Sequence, residues 1–244
     1  MRRFGLIGYP LSHSFSKSYF AEKFSREGIT DCLYENFPIP SIDDVNSILA
    51  NDAELEGLNV TIPYKESILS FLSEEDPVVA AVGACNCLKK IAPGKYRGYN
   101  TDTVGFRTSL SEFLQPHHDK ALILGTGGAA KAVEYILNTL GITYQYVSRT
   151  PGPNRLGYAQ LTESIIHESR LIINTTPLGM YPNIDAAPDL PYQFLTPSHY
   201  LFDLVYNPSK TLFLTKGEER GATIKNGWDM LIIQAEESWK IWNS

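Results

Sequence analysis

The stretch Ala121–Leu137, "ALILGTGGAAKAVEYIL", limits what this chain can fold into more than any other. An aliphatic run leads straight into Gly125-x-Gly127-x-x-Ala130 and then into a helical pattern. Strand, glycine turn and helix in that order make the first βα unit of a dinucleotide-binding sheet. Gly125 permits the tight turn, Gly127 lets the backbone approach a pyrophosphate, and Ala130 allows the helix to pack closely on the strand. The N–H groups at the start of the helix then face the phosphates.

The next strand selects the cofactor. NAD-binding sites place an acidic residue about twenty residues on, for the ribose hydroxyls. Here the strand "YQYVSR" (144–149) ends instead in Ser148, Arg149 and Thr150. The planar fork of donors on arginine matches a 2′-phosphate, so the expected cofactor is NADP. The plainer reading of Arg149 is a solvated turn residue.

Elsewhere short apolar runs alternate with helical ones, which argues for an α/β fold. Strands are expected at 3–8, 32–37, 57–61 and 85–91, and in a second series at 121–125, 144–149, 171–176 and 200–206. Helices are expected near 14–27, 42–50, 64–72, 102–114, 128–140, 209–219 and 228–242. In the last, Trp228, Leu231, Ile232, Ala235, Trp239 and Trp242 form one stripe, read as core. Gln234 flanks that stripe one turn from Met230 and is placed to point into a cleft.

The first half gathers polar groups at strand ends. "GLNVTIPYK" (57–65) alternates as a strand, with Leu58, Val60 and Ile62 on one face and Asn59 and Thr61 on the other. Pro63 then suits the first position of a helix, which puts Lys65 in the first turn, against the macrodipole. Ser14 and Ser16 precede a helix, and read either as N-caps or as holders of an anion such as a carboxylate. If 85–87 is extended, Cys85 and Cys87 share one face and Asn86 takes the other. Asp102, closing "GYNTD", reads as an N-cap of the next helix. Ends of successive strands are where open α/β sheets bind ligands, and this set suits a small polyhydroxylated carboxylate.

Composition narrows the partners. With 21 basic and 27 acidic residues the net charge is −6 and no long basic run occurs, which disfavours nucleic acid and acidic membrane surfaces. Cys32, Cys85 and Cys87 form no metal-ligand pattern and read as reduced thiols in a cytoplasmic protein. No metal site is expected. Gly8 and Pro10 break the opening apolar run before a signal core, and no segment reaches the ~20 apolar residues of a membrane helix.

The segments "GYPLSHSFS", "GLNVTIPYK", "GACNCL", "GYNTD", "GTGGAAKA", "NTTPLGM", "DLVYNP" and "NGWDMLIIQA" occur in the order found in shikimate dehydrogenases, which the chain resembles over nearly its whole length. The resemblance implies a substrate-binding catalytic domain at 1–102 completed by 228–244, and a Rossmann NADP-binding domain at 103–227. It implies reversible NADP-dependent reduction of 3-dehydroshikimate to shikimate, in the biosynthesis of chorismate and the aromatic amino acids. Ser14 and Ser16 would hold the substrate carboxylate with Tyr206 assisting, and Asn59, Thr61, Asn86 and Gln234 would surround the ring. Lys65 and Asp102 would be the catalytic pair. Gly125, Thr126, Gly127, Gly128 and Ala129, with Ser148, Arg149 and Thr150, would bind the cofactor, and Asn174 and Thr175 would begin the loop that passes it.

The chain departs from the family pattern at Lys17, Ser148, Pro153, "GACNC" and "NGWDM", and Arg155 follows two positions after the place of a second arginine. The alternatives are an NAD-preferring quinate/shikimate dehydrogenase and a non-catalytic metabolite or nucleotide sensor. The expected partner is a small molecule, with neither nucleic acid nor membrane, and the chain is expected to be a monomer or homodimer.

Overall fold

The structure is a computed structural model that describes residues 1–11, 14–51 and 53–244. Ser12 and His13, inside the "LSHSFS" stretch, lie outside the described residues. The chain divides into two compact units, Met1–Thr101 with Ala235–Ser244, and Asp102–Gln234. The second crossing falls inside the last helix, after Gln234, whereas the sequence reading sets the boundary before residue 228.

The first unit is built on a mixed sheet. Its strands are β1 (Arg2–Gly8), β2 (Cys32–Pro38), β3 (Leu55–Val60), β4 (Glu74–Glu75), β5 (Cys87–Ala92) and β6 (Lys95–Tyr99). The order is β2-β1-β3-β5-β6-β4. β1 runs parallel to β2 and β3, and β5 is antiparallel to both β3 and β6. Its helices are α1 (Ser16–Glu27), α2 (Val45–Asn51) and α3 (Pro77–Val82).

Alternation along β1 fills two cores. Phe4 and Leu6 join Phe20, Phe24, Tyr34 and Trp242 on one face, while Ile7 joins Val45, Leu58, Val60 and Ile68 on the other. The far end of α8 (Trp228–Trp242) closes the first of these. Trp242 donates from its indole Nε1 to Leu88 O at 2.9 Å. That approach depends on Gly57, because a Cβ there would stand 2.2 Å from the same nitrogen.

The second unit carries β7 (Lys120–Leu124), β8 (Thr143–Ser148), β9 (Arg155–Gly157), β10 (Leu171–Asn174), β11 (Tyr200–Asp203) and β12 (Thr223–Lys225). All pairings are parallel, and the order is β12-β11-β10-β7-β8-β9. This is the doubly wound order of a dinucleotide-binding sheet, with its switch point between β7 and β10. Helices α4 (Thr101–Ser111) and α5 (Gly128–Thr139) place Phe106, Leu110, Val133, Ile136 and Leu137 on one face of the sheet. Helices α6 (Glu163–Glu168) and α7 (Leu212–Glu218) place Ile166, Phe213 and Leu214 on the other.

Several expectations are corrected. Residues 64–72 form no α-helix: Tyr64 N bonds Thr61 O at 2.9 Å in a turn, and only Ser67–Phe71 coils, as a 3₁₀ helix. Lys65 therefore precedes a short 3₁₀ segment rather than sitting in an α-helical first turn. The Tyr64 hydroxyl fixes this turn by donating to Ile39 O at 2.6 Å. Ile62 lies past the end of β3 and is 67% exposed.

Cys85 and Cys87 do not share a face. Cys85 precedes β5 and packs with Leu58 and Tyr96, whereas Cys87 packs with Phe4 and Trp242. Asp102 is not a cap but the second residue of α4. Trp228 leaves the predicted stripe and is 44% exposed, while Met230 is buried in the second unit's core.

Candidate active site

In the first unit two of the polar residues singled out by sequence, Asn59 and Asn86, join one buried network with Tyr34, Thr101 and Ser238. Tyr34 donates to Asn59 Oδ1 at 2.9 Å, and Asn59 Nδ2 donates to Ser238 Oγ at 2.8 Å and Asn86 O at 3.3 Å. Asn86 Oδ1 accepts from Thr101 N at 2.7 Å, and its Nδ2 donates to Thr101 Oγ1 at 3.0 Å. Asn59 thus has both ends of its amide engaged inside the protein, as a residue that holds Asn86 in place. Burial pushes the Tyr34 phenol above its ordinary range, and the Ser16 hydroxyl, hydrogen-bonded to it, opposes that shift.

Neither serine caps α1. The N-cap is Phe15, which makes no side-chain cap bond, and Ser16 is the first helical residue. The Ser14 hydroxyl is buried with no hydrogen-bond partner among the described residues. A polar atom in that state costs free energy unless a ligand or water meets it, which favours the anion-holding reading over the capping one. Thr61 follows β3, its N–H bonded to Ile7 O at 2.9 Å, and Lys65 O accepts from Cys85 N at 2.7 Å.

Asp102, Tyr206 and Gln234 belong to the second unit. Asp102 is 6% exposed. Tyr206 is half-buried, which raises its phenol pKa, and its ring centroid lies 6.3 Å from that of Trp228. Gln234 donates to Leu231 O at 2.9 Å.

The glycine turn has the expected form. Gly125 takes φ +105°, and a Cβ there would stand 2.7 Å from Thr175 Oγ1. Gly127 is the N-cap of α5, with no side chain capping the helix, and a Cβ on it would meet nothing within 4 Å. Ala130 is wholly buried against the sheet. Thr126 is exposed and Gly128 and Ala129 half-exposed around the same helix start.

At the end of β8, Ser148 Oγ donates to Thr150 O, and Arg149 and Thr150 are exposed. Residues 151–155 fold back, with Gly152 N on Arg155 O at 3.0 Å and Arg155 N on Gly152 O at 3.2 Å. Arg155 thereby starts the neighbouring strand, opposite Tyr146. Open space over Gly127, an uncapped helix N-terminus and two exposed arginines fit a phosphorylated dinucleotide.

Asn174 ends β10 wholly buried, its Nδ2 donating to Asp203 Oδ1 at 2.9 Å. Thr175 Oγ1 donates to Leu124 O at 2.7 Å. Asp203, Thr211, Thr176, Tyr34 and Ser238 escape the sequence reading; "DLVYNP" contains Asp203, but only the fold reveals what it touches.

A groove of about 750 Å³ lies at the opposite, N-terminal edge of this sheet, lined by Lys120, Thr143, His167 and Arg170 among others. Its lining is closed on itself, Lys120–Glu168 at 2.6 Å and Ser164–Glu168 at 3.0 Å. Ligands of such sheets bind at the other edge. Among the described residues no cluster of three or more His, Cys, Asp or Glu is placed to hold a metal ion, and no helix is long and apolar enough to cross a membrane.

Residues 6–88 match the family model described as the shikimate dehydrogenase substrate binding domain. The chain is 36% identical over 259 residues to the shikimate dehydrogenase (NADP(+)) of Caldicellulosiruptor saccharolyticus, covering 99% of this chain and 92% of that one. It is 37% identical over 255 residues to the enzyme of the same name from Staphylococcus aureus, with 99% and 92% covered. Among solved structures it is similar to shikimate 5-dehydrogenase from Thermus thermophilus in complex with NADP(H) and shikimate, at TM-score 0.87 and 29% identity, covering 99% of this chain and 93% of that one. It is similar also to quinate dehydrogenase from Corynebacterium glutamicum in complex with NAD, at TM-score 0.85 and 26% identity, covering 99% and 93%. An N-terminal substrate-binding domain followed by a Rossmann-type domain, matched along 99% of its length at over a third identity, places the chain in the shikimate dehydrogenase family.

Proposed function

We propose that this chain catalyses the reversible, NADP-dependent reduction of 3-dehydroshikimate to shikimate, a step of aromatic amino-acid biosynthesis in the cytoplasm. The carrying observation is the end of β8: Arg149 stands exposed where an NAD site has a carboxylate, and the turn at Gly152 brings Arg155 onto the adjacent strand. NADPH, when bound, supplies the hydride for the C3 carbonyl carbon.

The protein's own groups handle charge and proton. Lys65 gives a proton to the carbonyl oxygen as negative charge develops there, and takes it back in the oxidative direction. Asp102 is the second member of this pair. The unpartnered Ser14 hydroxyl, with Ser16 and Tyr206, receives the substrate carboxylate. Thr61, Asn86 and Gln234 face the ring hydroxyls, and Asn59 holds the main-chain carbonyl of Asn86. Backbone and side chains of Gly125, Thr126, Gly127, Gly128 and Ala129 hold the pyrophosphate; Ser148, Arg149 and Thr150 hold the 2′-phosphate; Asn174 and Thr175 begin the second wall of the site. The chain acts on small molecules, without nucleic acid, as a monomer or homodimer.

A second reading, an NAD-linked quinate dehydrogenase, is favoured by the likeness to the Corynebacterium glutamicum protein. Rates with shikimate and quinate, each with NAD and NADP, decide between them. The proposal expects the highest kcat/KM for shikimate with NADP; a maximum for quinate with NAD overturns it.

A further inference from the structure

Asp203, the last residue of β11, is wholly buried. Its Oδ1 accepts from Asn174 Nδ2 at 2.9 Å and from Val205 N at 3.0 Å, and its Oδ2 accepts from Thr211 Oγ1 at 2.5 Å. These donors are all neutral. Burying a carboxylate on neutral partners is costly, and an apolar residue fills such space at less cost. The cost points to a task beyond packing.

Two loops converge on this carboxylate. In the first, Asn174 Oδ1 accepts from Thr176 N at 3.0 Å and Thr176 Oγ1 at 2.6 Å, and Thr176 Oγ1 accepts from Leu178 N at 3.3 Å. Thr175 of the same loop is the residue that a side chain on Gly125 would strike. In the second, Val205 O accepts from Gly227 N at 3.1 Å, and Asn207 O accepts from Tyr181 N at 3.0 Å, so the second loop also grips the first. Both loops leave the C-terminal ends of strands, and the first borders the switch point between β7 and β10, where ligands of such sheets bind.

We infer that Asp203 is a positioning residue whose buried carboxylate fastens loop 174–181 to loop 203–207 and so presets the wall of the dinucleotide crevice facing Gly125. The pKa of this carboxyl, raised to about 6 by burial against the opposing bonds from Thr211, Val205 N and Asn174, reflects the same cost. The inference rests on the cofactor class proposed above for the crevice, but the coupling of the loops does not.

The test compares Asp203→Ala, Asp203→Asn and Thr211→Val with a control, Leu137→Ala, which opens the core on α5. Calorimetric titration gives the Kd for NADP⁺ and for NAD⁺, and hydrogen exchange follows the amides of residues 176–181 and 205–207. Asp203→Ala is expected to weaken dinucleotide binding by about tenfold or more and to deprotect both loops together. Asp203→Asn keeps the acceptor for Asn174 and Val205 and is expected to stay within about threefold of wild type. Thr211→Val, which removes the bond to the carboxylate's far oxygen together with the cap that Thr211 Oγ1 gives Leu214 N at the start of α7, is expected to give an intermediate loss of dinucleotide binding with deprotection of the same two loops, and serves if Asp203→Ala does not fold. Leu137→Ala is expected to lower Tm with Kd and loop exchange unchanged. Unchanged Kd in folded Asp203→Ala, or equal weakening in Leu137→Ala, overturns the inference. A wild type that binds neither dinucleotide sinks the cofactor reading, and the exchange data then decide the coupling: loops that keep their protection in Asp203→Ala refute it.

Discussion

Asn86 caps a helix from outside it: its side-chain Oδ1 accepts the backbone N–H of Thr101, the first residue of α4, at 2.7 Å. The next residue is Asp102, so the amide sets the backbone from which that carboxylate projects. Asn86→Ala leaves the Thr101 N–H buried without this acceptor, a loss of roughly 1–3 kcal/mol. Urea unfolding is expected to show it as a lower midpoint with the same slope; an unchanged midpoint contradicts the capping role.

Lys65 stands after a turn, so its place is set by Tyr64, buried on Ile39 O, rather than by helical geometry. Lys65→Ala is expected to lower kcat by ~10²-fold or more with much less change in KM, the pattern of a lost general acid–base group. A folded variant with near-normal kcat refutes the assignment. Asp102→Asn is expected to act in the same direction.

The two serines separate into different tests. Among the described residues Ser14 has no hydrogen-bond partner for its buried hydroxyl, so Ser14→Ala is expected to leave Tm unchanged or raised. It is expected to raise the KM for shikimate by the equivalent of about 1–2 kcal/mol. Ser16→Ala also removes a bond to Tyr34 and is expected to lower both affinity and Tm. Thermal melts and KM measured on the same preparations check both; a fall in Tm for Ser14→Ala with KM intact restores a structural role.

Arg149 follows the end of β8 and Arg155 begins the parallel β9 beside Tyr146, with the Gly152 turn between them. Losing a charge-assisted contact of roughly 1.5–3 kcal/mol raises the KM for NADP by about ten- to a hundredfold in Arg149→Ala, with KM for NAD nearly unmoved. Arg155→Ala is expected to do the same to a smaller degree. The ratio of kcat/KM for the two cofactors is the measurement, and a ratio indifferent to both substitutions removes the arginines from the site.

Two buried groups of the second unit pull stability in opposite directions over the same pH range. Burial pushes His118 from 6.5 down to about 4, so the unfolded chain takes up its proton first. Its contribution is complete above pH 6.5 and is lost as pH falls toward 4. Asp203 rises from 3.8 to about 6, so its contribution is complete below pH 3.8 and is lost as pH rises through 6. The stability of wild type relative to His118→Asn is therefore expected to fall on acidification, and relative to Asp203→Asn to rise. Denaturant titrations between pH 4 and 7 check the two signs; parallel curves for either pair contradict its assignment.

Local chemistry was legible where a segment carries its own instructions. The Gly125–Ala130 turn follows from residue types alone, and the last helix occupies residues 228–242 as its periodicity predicts. Of the strand β6 only the end, at "YNTD", was legible, although Pro93-Gly94, with Gly94 at φ +67°, marks the hairpin that forms it. The helix α3 went unread, despite Asp76 capping Val78 N, Pro77 in its first turn and Gly83 at its end. Six residues are too few for a helical period to register. The partition of Cys85 and Cys87 between two cores depends on where β5 begins, which its pairing partners decide. The networks around Asn59 and Asp203 join residues far apart in sequence, such as Asn59 with Ser238, and no spacing rule reaches across a fold.

The slot over Gly57 has a consequence for how the molecule is made. Its occupant, Trp242, and the neighbouring ring of Trp239 against Phe4 are translated only after the whole of Asp102–Gln234. Until residues 235–242 have been made, the first sheet must hold Phe4, Phe20 and Leu88 without their final cover, an exposed apolar face for as long as the intervening second unit takes to be translated. Of the two units, the one whose strands are made earlier is thus the one whose core is closed later.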